Sequence, residues 1–287
     1  MTQKKFPLSL FFLVITLLLC GFPIYLVAQN SSPEFKVVSF YKGINDPAHV
    51  SFVKEANTWF SKMAIEKNFI YNSTNDWDNM NPEFLSGYDV VVFLDVRPDS
   101  ANHRKAFEQY MENGGSWLGF HFCAFALTPS AYSQNWDWYH NKFLGSGEFK
   151  GNTWQPTSAV LRIENNKHVV TKNLPETFIS APNEWYSWEN DLRKNQDIDI
   201  LLSIDSSSFP LGTGPKLYEI WHEGYFPVVW TNKNYNMIYV NMGHNDIDYE
   251  HNTNLELSFT FTNEIQNNLI LESLQYLGKK RKNNSKN

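Results

Sequence analysis

The sequence is poor in cysteine, with only 2 among its 287 residues. Cys20 lies in an apolar stretch near the N-terminus, and Cys123 lies far along the chain. If the N-terminal stretch is removed on export, a single cysteine remains, which excludes an intrachain disulfide. The stability of the fold is therefore expected to come from buried apolar side chains rather than from covalent cross-links.

The sequence also lacks an excess of positive charge. Its 24 Lys and Arg residues stand against 30 Asp and Glu residues, for a formal net charge of -6. Nucleic-acid backbones are bound by basic surfaces, so this balance argues against a nucleic-acid partner. Between residues 35 and 278 there is no Pro-, Gly- or Ser-rich break, no repeat and no low-complexity stretch, which predicts a single domain.

Aromatic residues, in contrast, are abundant: the chain has 10 Trp, 14 Tyr and 22 Phe. Aromatic rings fill protein cores, and on a concave surface they also stack against sugars. Most of these rings are expected in the core. The cluster Trp136, Trp138, Tyr139 and His140 resembles an amphipathic aromatic helix, a pattern more typical of a core than of a sugar-binding surface.

The N-terminus has the pattern of an export signal. Lys4 and Lys5 precede an apolar run from Leu8 to Ala28. A basic segment, an apolar segment and a small residue before the cut predict a secretory signal peptide, and hence a periplasmic or secreted protein with no membrane span after cleavage. An uncleaved membrane anchor is an alternative because the run is long enough to cross a bilayer. A lipoprotein attached at Cys20 is less well supported, since Leu19 is not a small residue.

Apolar periodicity alternates between strand and helix along the chain. The uninterrupted run Val90–Leu94 is typical of a strand buried on both faces of a parallel sheet. This alternation predicts an α/β fold, with a mainly parallel central sheet between two layers of helices. The predicted strands are 35–40, 69–71, 90–94, 116–120, 159–163, 198–204, 227–230 and 237–241, and the predicted helices include 99–113 and 255–277. The predicted organisation is a signal peptide over 1–29, a linker over 30–34, a domain over 35–278 and a disordered basic tail over 279–287.

In such sheets, ligands bind beyond the carboxyl ends of the strands. The segments that follow the predicted strands are therefore the ones to inspect for function. Polar and imidazole side chains recur in four of them, namely 41–49, 95–98, 121–125 and 243–248.

His121 follows the strand that ends at Phe120. Gly119 and His121 match the first glycine and the nucleophile position of a G-x-nucleophile-x-G turn, while Cys123 occupies the last glycine position. A thiol nucleophile of the glutaminase kind is thus out of place. His121 is interpreted as an acid, a base or a ligand, because its ordinary pKa lies near neutrality. A buried structural histidine is the alternative.

The segment that follows the predicted strand 237–241 contains Gly243, His244, Asn245 and Asp246. Gly243 allows a close turn, so that His244 would face a ligand and Asp246 would orient its ring through a hydrogen bond. Asn245 and Asp246 are also predicted substrate contacts. Ordinary turn chemistry is the alternative, since Gly, Asn and Asp are common in loops.

Four further residues complete the predicted site. Glu184 lies among aromatic residues, which would desolvate it and raise its pKa toward the range of a general acid. A helix cap, or an ion pair with Arg193, is the alternative. His49 is predicted at the start of the first helix, where it would orient a substrate, and Tyr186 and Trp230 are predicted substrate contacts.

Three histidines also form a candidate metal site. His49, His121 and His244 would suit zinc or another divalent ion if they converged on one crevice. They are scattered singly, without a spacing such as H-x-x-x-H. A divalent metal is therefore kept as an alternative role for these residues.

Several motifs together resemble the trehalose-utilisation (ThuA-like) family of the class I glutamine amidotransferase-like superfamily. His49 matches the histidine at the start of that family's first helix, and the resemblance covers about residues 35–278. The other matching segments are Gly114–His121 for a GG-x-x-x-G-x-H element, Trp136–Phe149 for W-x-x-Y…LG…F, Asn183–Tyr186 for D-E-x-Y, and Pro227–His244 for a P-x-x-W ending that closes in GH.

The resemblance implies a flavodoxin-type, glutamine amidotransferase-like fold that lacks the glutaminase triad. It also implies a link to carbohydrate metabolism, with trehalose and oxidised (keto) sugars as the usual association. The chain departs from the family at Asn183, which replaces an acid, and at Asn152, near which the family often has a histidine.

The predicted function is that of an enzyme acting on a sugar or keto-glycoside by hydrolysis, elimination or isomerisation. His121 and His244 are the predicted acid and base, with Glu184 assisting. The alternative is a non-catalytic carbohydrate-binding or scaffold protein. Glutamine amidotransfer is rejected because no cysteine occupies the nucleophile position.

Overall fold

The structure is a computed structural model that describes residues 32–43, 47–127, 136–153, 156–209, 221–243, 248, 251, 253, 255 and 257–284. Contacts divide the chain into Met1–Ser32 and a compact unit from Pro33 to Asn287, and the features below belong to the second. The predicted signal peptide lies outside the described residues.

The described secondary structure includes eleven strands and four α-helices. The strands are β1 (Lys36–Phe40), β2 (Ile70–Thr74), β3 (Val90–Leu94), β4 (Ser116–Phe120), β5 (Phe149–Asn152), β6 (Val160–Ile163), β7 (Thr177–Ile179), β8 (Tyr186–Trp188), β9 (Ile198–Ile204), β10 (Phe226–Asn232) and β11 (Asn236–Val240). The helices are α1 (Pro47–Glu66), α2 (Pro82–Leu85), α3 (Ala101–Glu112) and α4 (Glu264–Asn284).

One large sheet has the strand order β2-β1-β3-β4-β11-β10-β9-β6-β7. The half from β2 to β11 is parallel, and its first four strands follow the flavodoxin-like order. The predicted α/β fold with parallel central strands is therefore confirmed. The half from β11 to β7 is antiparallel, and residues 233–235 form the short turn that returns the chain from β10 to β11.

The sheet separates two cores. Successive residues of a strand point to opposite faces, so Val37 belongs to one core and Val38 to the other. Helix α1 covers the first core with Phe52, Ala56 and Phe60, which are buried at four-residue spacing. These two packed faces give the predicted three-layer arrangement.

The ends of two helices follow from local chemistry. At the start of α3, the Ser100 side chain accepts a hydrogen bond from the His103 amide, and after its end Gly114 takes a positive φ of 75°, the conformation of a C-terminal cap glycine. Helix α4 begins nine residues later than predicted, because the Asn263 side chain caps it by accepting from the Gln266 amide. It continues to Asn284, so residues 279–284, predicted as part of a disordered tail, are helical. None of the described helices is long and apolar enough to cross a membrane.

Strands β5 and β8 form a separate antiparallel ribbon that the sequence patterns did not indicate. Both strands are short, with four and three residues, so neither shows a readable alternation. The ribbon matters for function because it carries Asn152 and Tyr186.

The predicted aromatic helix is a π-helical turn, Trp138–Phe143. The rings of Trp136 and Tyr139 stack with centroids 4.6 Å apart, and both side chains are buried. The aromatic cluster is thus part of the core.

We expect His140, which is buried in this turn, to make the fold acid-sensitive. Burial, together with the nearby charge of Arg97, lowers the pKa of His140 from 6.5 to about 3. Between these values the unfolded chain binds a proton that the folded chain does not, so the free energy of unfolding falls as the pH drops, by up to about 1.4 kcal/mol per pH unit. Urea unfolding at pH 7, 6, 5 and 4 should show a flatter pH dependence for His140→Gln. The same substitution at His222, whose side chain is 37% exposed, should leave the slope unchanged, and equal slopes for all three proteins would contradict the prediction.

Candidate functional site

Three neighbouring strand ends bring polar side chains together. Strand β3 is hydrogen-bonded to β1 on one side and to β4 on the other. His49 lies in the first turn of α1, after β1, while Asp95 and His121 directly follow β3 and β4. This edge is where ligands bind in sheets with this strand order.

Asp95 is the centre of the arrangement. One carboxylate oxygen is bonded to His49 Nδ1, and the other accepts from the Phe122 amide at 2.7 Å and lies 3.2 Å from His121 Nδ1. Burial alone would raise the pKa of Asp95, but the two histidines outweigh it and hold that pKa well below its ordinary value. Asp95 is therefore a fully buried carboxylate that stays ionised across the neutral range.

His121 is also fully buried, and both of its nitrogens face oxygen atoms. Nδ1 faces Asp95, and Nε2 lies 2.9 Å from the carbonyl oxygen of Glu184. A neutral imidazole donates through only one nitrogen, so both contacts are satisfied only by the protonated ring. Burial nevertheless lowers the pKa of His121, against the opposing effect of Asp95. The two contacts therefore favour the protonated ring, whereas burial disfavours it.

His49 is the solvent-facing end of this array. Its side chain is 21% exposed, whereas the side chains of Asp95 and His121 are fully buried. The edge of the His49 ring packs against Phe122, with centroids 5.0 Å apart, which restrains its orientation. His49 is therefore the member of the three that a solute reaches first, rather than His121.

Two of these residues occupy strained backbone positions. Asp95 has φ 57° and His121 has φ 45°, in the left-handed region that non-glycine residues seldom adopt. The surroundings hold His121 in place: Tyr239 donates its hydroxyl hydrogen to the His121 carbonyl at 2.8 Å, and a Cβ at Gly243 would come within 3.1 Å of the His121 Cβ. Strain of about 1–3 kcal/mol per residue persists where a site requires it.

Glu184 and Tyr186 join the same cluster. Glu184 is 4% exposed, accepts a hydrogen bond from the Asn152 side chain, and places its Oε2 3.7 Å from His121 Nε2. The Tyr186 ring packs on His121 with centroids 3.9 Å apart. The alternative ion pair of Glu184 with Arg193 does not form, because Arg193 binds Asp191.

The structure places Trp230 in the core rather than at a substrate surface. Its side chain is fully buried, Nε1 donates to the Leu144 carbonyl at 2.9 Å, and its ring packs on Tyr239 with centroids 4.3 Å apart. In contrast, Asp95 belongs to the site although it is not among the site residues predicted from the sequence. The available signal was its position directly after β3, in one of the four strand-end segments.

Three predicted site residues, His244, Asn245 and Asp246, lie outside the described residues. The proposed metal set of His49, His121 and His244 is thus only partly described. In the described ranges, no group of three or more His, Cys, Asp or Glu side chains is arranged to hold a metal ion. In the structure, His49 and His121 both direct Nδ1 to Asp95. A metal-binding role for the three histidines remains a prediction.

Cys123 lies beneath the site and is not placed for nucleophilic attack. It is fully buried, and burial raises the pKa of its thiol well above the ordinary value. The thiolate is the reactive form of cysteine. This environment agrees with the rejection of glutaminase chemistry.

Comparison with known proteins adds a family and a fold. Residues 36–259 match the family model for trehalose utilisation, ThuA. A crystallised protein of Bacteroides uniformis, described as ThuA-like, is 36% identical, with 90% of this chain and 95% of that chain covered and a TM-score of 0.75. One from Parabacteroides merdae, described likewise, is 17% identical, with 86% of this chain and 90% of that chain covered and a TM-score of 0.58, a likeness of fold alone. No curated protein matches the chain.

Proposed function

This chain belongs to the trehalose-utilisation (ThuA) family, and on that premise we propose that it processes a sugar or keto-glycoside by acid–base chemistry. The family association is the reason for proposing a carbohydrate as the substrate. The observation that carries the chemistry is a partly exposed histidine, His49, bonded to the buried carboxylate of Asp95 and backed by His121.

In the proposed mechanism, His49 exchanges the proton with the substrate. The bond to Asp95 holds the His49 ring in the tautomer with its proton on Nδ1, which makes Nε2 the basic nitrogen. When Nε2 takes up a proton, the ionised Asp95 stabilises the resulting imidazolium. His121 contacts the other carboxylate oxygen, so it positions Asp95 and interacts with the negative charge of the carboxylate. His244, with Asn245 and Asp246, remains the predicted partner on the substrate side.

The geometry favours elimination or isomerisation over hydrolysis by two carboxylates. That hydrolysis requires two carboxyl groups that flank the bond to be broken. The two carboxyl groups described at this edge are buried and already hydrogen-bonded. Asp95 is bonded to His49 and His121, and Glu184 accepts a hydrogen bond from Asn152. A histidine–aspartate pair instead suits removal and return of a proton on a carbon beside a carbonyl group, as in an oxidised sugar.

We also propose that the protein works outside the cytoplasm. The support is the basic and apolar pattern from Lys4 to Ala28, which is typical of a signal peptide. N-terminal sequencing of the protein recovered from a bacterial host should then find an N-terminus near residue 29 or 30. An intact Met1 in the recovered protein would contradict a cleaved signal.

The proposed reaction predicts measurable proton exchange. When the chain from residue 30 onward is incubated in D₂O with keto-trehalose and a panel of keto-glycosides, deuterium should be incorporated beside the carbonyl group or product should be released. Trehalose itself, which has no carbonyl group, is tested for product release alone. His49→Gln should abolish this, while His103→Gln, in helix α3, should not. Assays with added zinc and with a chelator test the metal role. Saturable sugar binding without exchange or turnover would instead support the non-catalytic carbohydrate-binding alternative.

A further inference from the structure

A second cleft lies beside the β5–β8 ribbon. Two ribbon residues, Asn152 and Tyr186, contact the His121 cluster, whereas their chain neighbours Gly151 and Ser187 line this cleft. Its volume is about 470 Å³, within the range of about 300–1,000 Å³ typical of small-molecule sites. None of His49, Asp95, His121 and Glu184 lines it, so it is distinct from the site described above.

One wall of the cleft is aromatic. Trp221 is buried, with 3% of its surface exposed, and it stacks on the partly buried Phe226 with centroids 4.5 Å apart and planes at 27°. The neighbouring Tyr225 is partly exposed, and the guanidinium of Arg193 lies over its ring at 4.6 Å. Tyr225 and Phe226 therefore provide the partly exposed aromatic surface, and aromatic surface with polar groups at its rim is suited to the faces and hydroxyl groups of sugars.

The charged side chains that line the cleft favour neutral sugars over acidic ones. The cleft is lined by two basic side chains, Lys150 and Arg193, and three acidic ones, Glu189, Asp191 and Glu223. Arg193 is bound by both oxygens of Asp191, at 2.8 and 2.9 Å, so its charge is matched inside the cleft. Of the other charged groups, Glu189 and Glu223 outnumber Lys150, so the cleft keeps a net negative charge that accepts hydrogen bonds from hydroxyl groups and disfavours carboxylated or sulfated sugars.

We propose that this cleft is a second binding site, for the units of a neutral oligosaccharide. The choice of a carbohydrate rests in part on the proposed function, whereas the location and the preference for neutral sugars come from the cleft itself. Because the β5–β8 ribbon contributes to both sites, a sugar chain bound here would be held next to the strand-end site.

Titration calorimetry with the mature chain tests the proposal, with maltotriose as the neutral probe and trigalacturonate as the acidic one. Wild type should bind maltotriose saturably and more tightly than trigalacturonate. Tyr225→Ala should weaken maltotriose binding at least about 10-fold, the effect of losing one good contact of about 1.4 kcal/mol. Tyr235→Ala, at a partly buried tyrosine outside the cleft, is the matched control and should bind as wild type.

A second variant tests the cleft independently in case Tyr225→Ala does not fold. Glu223 is exposed, so Glu223→Lys should fold normally, weaken the preference for the neutral probe and strengthen trigalacturonate binding. His49→Gln separates the two proposals: it should stop proton exchange and leave maltotriose binding unchanged. Binding that is lost in His49→Gln and kept in Tyr225→Ala would overturn the cleft site but not the proposed reaction. Absence of saturable maltotriose binding by wild type, or equal affinity for both probes, would overturn the neutral-sugar site.

Discussion

Asp95→Asn is expected to lower kcat/KM for the keto-sugar reaction by about 10²–10⁴-fold, the contribution of a positioned acid or base. The Asp95 carboxylate contacts His49 Nδ1, His121 Nδ1 and the Phe122 amide, all through its acceptor oxygens. An asparagine has one acceptor oxygen and an amino group in place of the other. If that amino group donates to His49 Nδ1, the ring proton moves to Nε2, and the nitrogen proposed to act as base can no longer accept a proton.

The matched control is Asp99→Asn, the same chemical change four residues further along. Asp99 pairs with Lys42 on the exposed surface, so its substitution should leave kcat/KM unchanged. Urea unfolding and the proton NMR signals of the histidine rings would show whether Asp95→Asn keeps the fold. A folded Asp95→Asn protein with wild-type kcat/KM would refute a catalytic histidine–aspartate pair.

Trp230→Ala is expected to lower the free energy of unfolding by about 3–5 kcal/mol, as for large aromatic residues truncated in a core. The Trp230 side chain is fully buried, and its removal also leaves the Leu144 carbonyl without the indole donor. Denaturant unfolding measures the loss. Ile65→Ala, at a side chain that is 86% exposed, should change the same free energy by no more than about 0.5 kcal/mol.

Trp230→Phe distinguishes a core role from substrate contact. Phenylalanine keeps much of the packing against Tyr239 but cannot donate to Leu144. We expect it to lower stability less than alanine does and to leave KM unchanged. A KM raised 10-fold or more, with an unchanged free energy of unfolding, would instead make Trp230 a substrate contact.

Local pattern was enough to predict most of the parallel half of the fold. The run Val90–Leu94 is apolar at every position because β3 is covered on both faces, and the glycine that follows α3 takes the positive φ of a helix cap. These signals lie within a few residues of the structure they describe. For the same reason, the segments after the strands could be selected, and with them His49 and His121.

Pairing between distant segments could not be predicted in this way. The strands of the β5–β8 ribbon are too short to show an alternation, and β9 pairs with β6 although β7 and β8 lie between them in the chain. The site depends on the same kind of pairing. Asp95 lies 46 residues from His49 and 26 from His121, and nothing near it in sequence marks it as their shared partner.

The sequence by itself determined the alternation of elements, the family, and the strand ends at which polar side chains gather. Each of these depends on patterns of residues within short stretches of the chain. Only the tertiary structure decided which side chains face each other there. It made Asp95 the centre of the site, left His49 rather than His121 exposed, and turned Trp230 into the core. The physical reason is that burial and hydrogen-bond partners depend on sheet register and on which face a residue occupies, and a shift of one residue along a strand exchanges those faces.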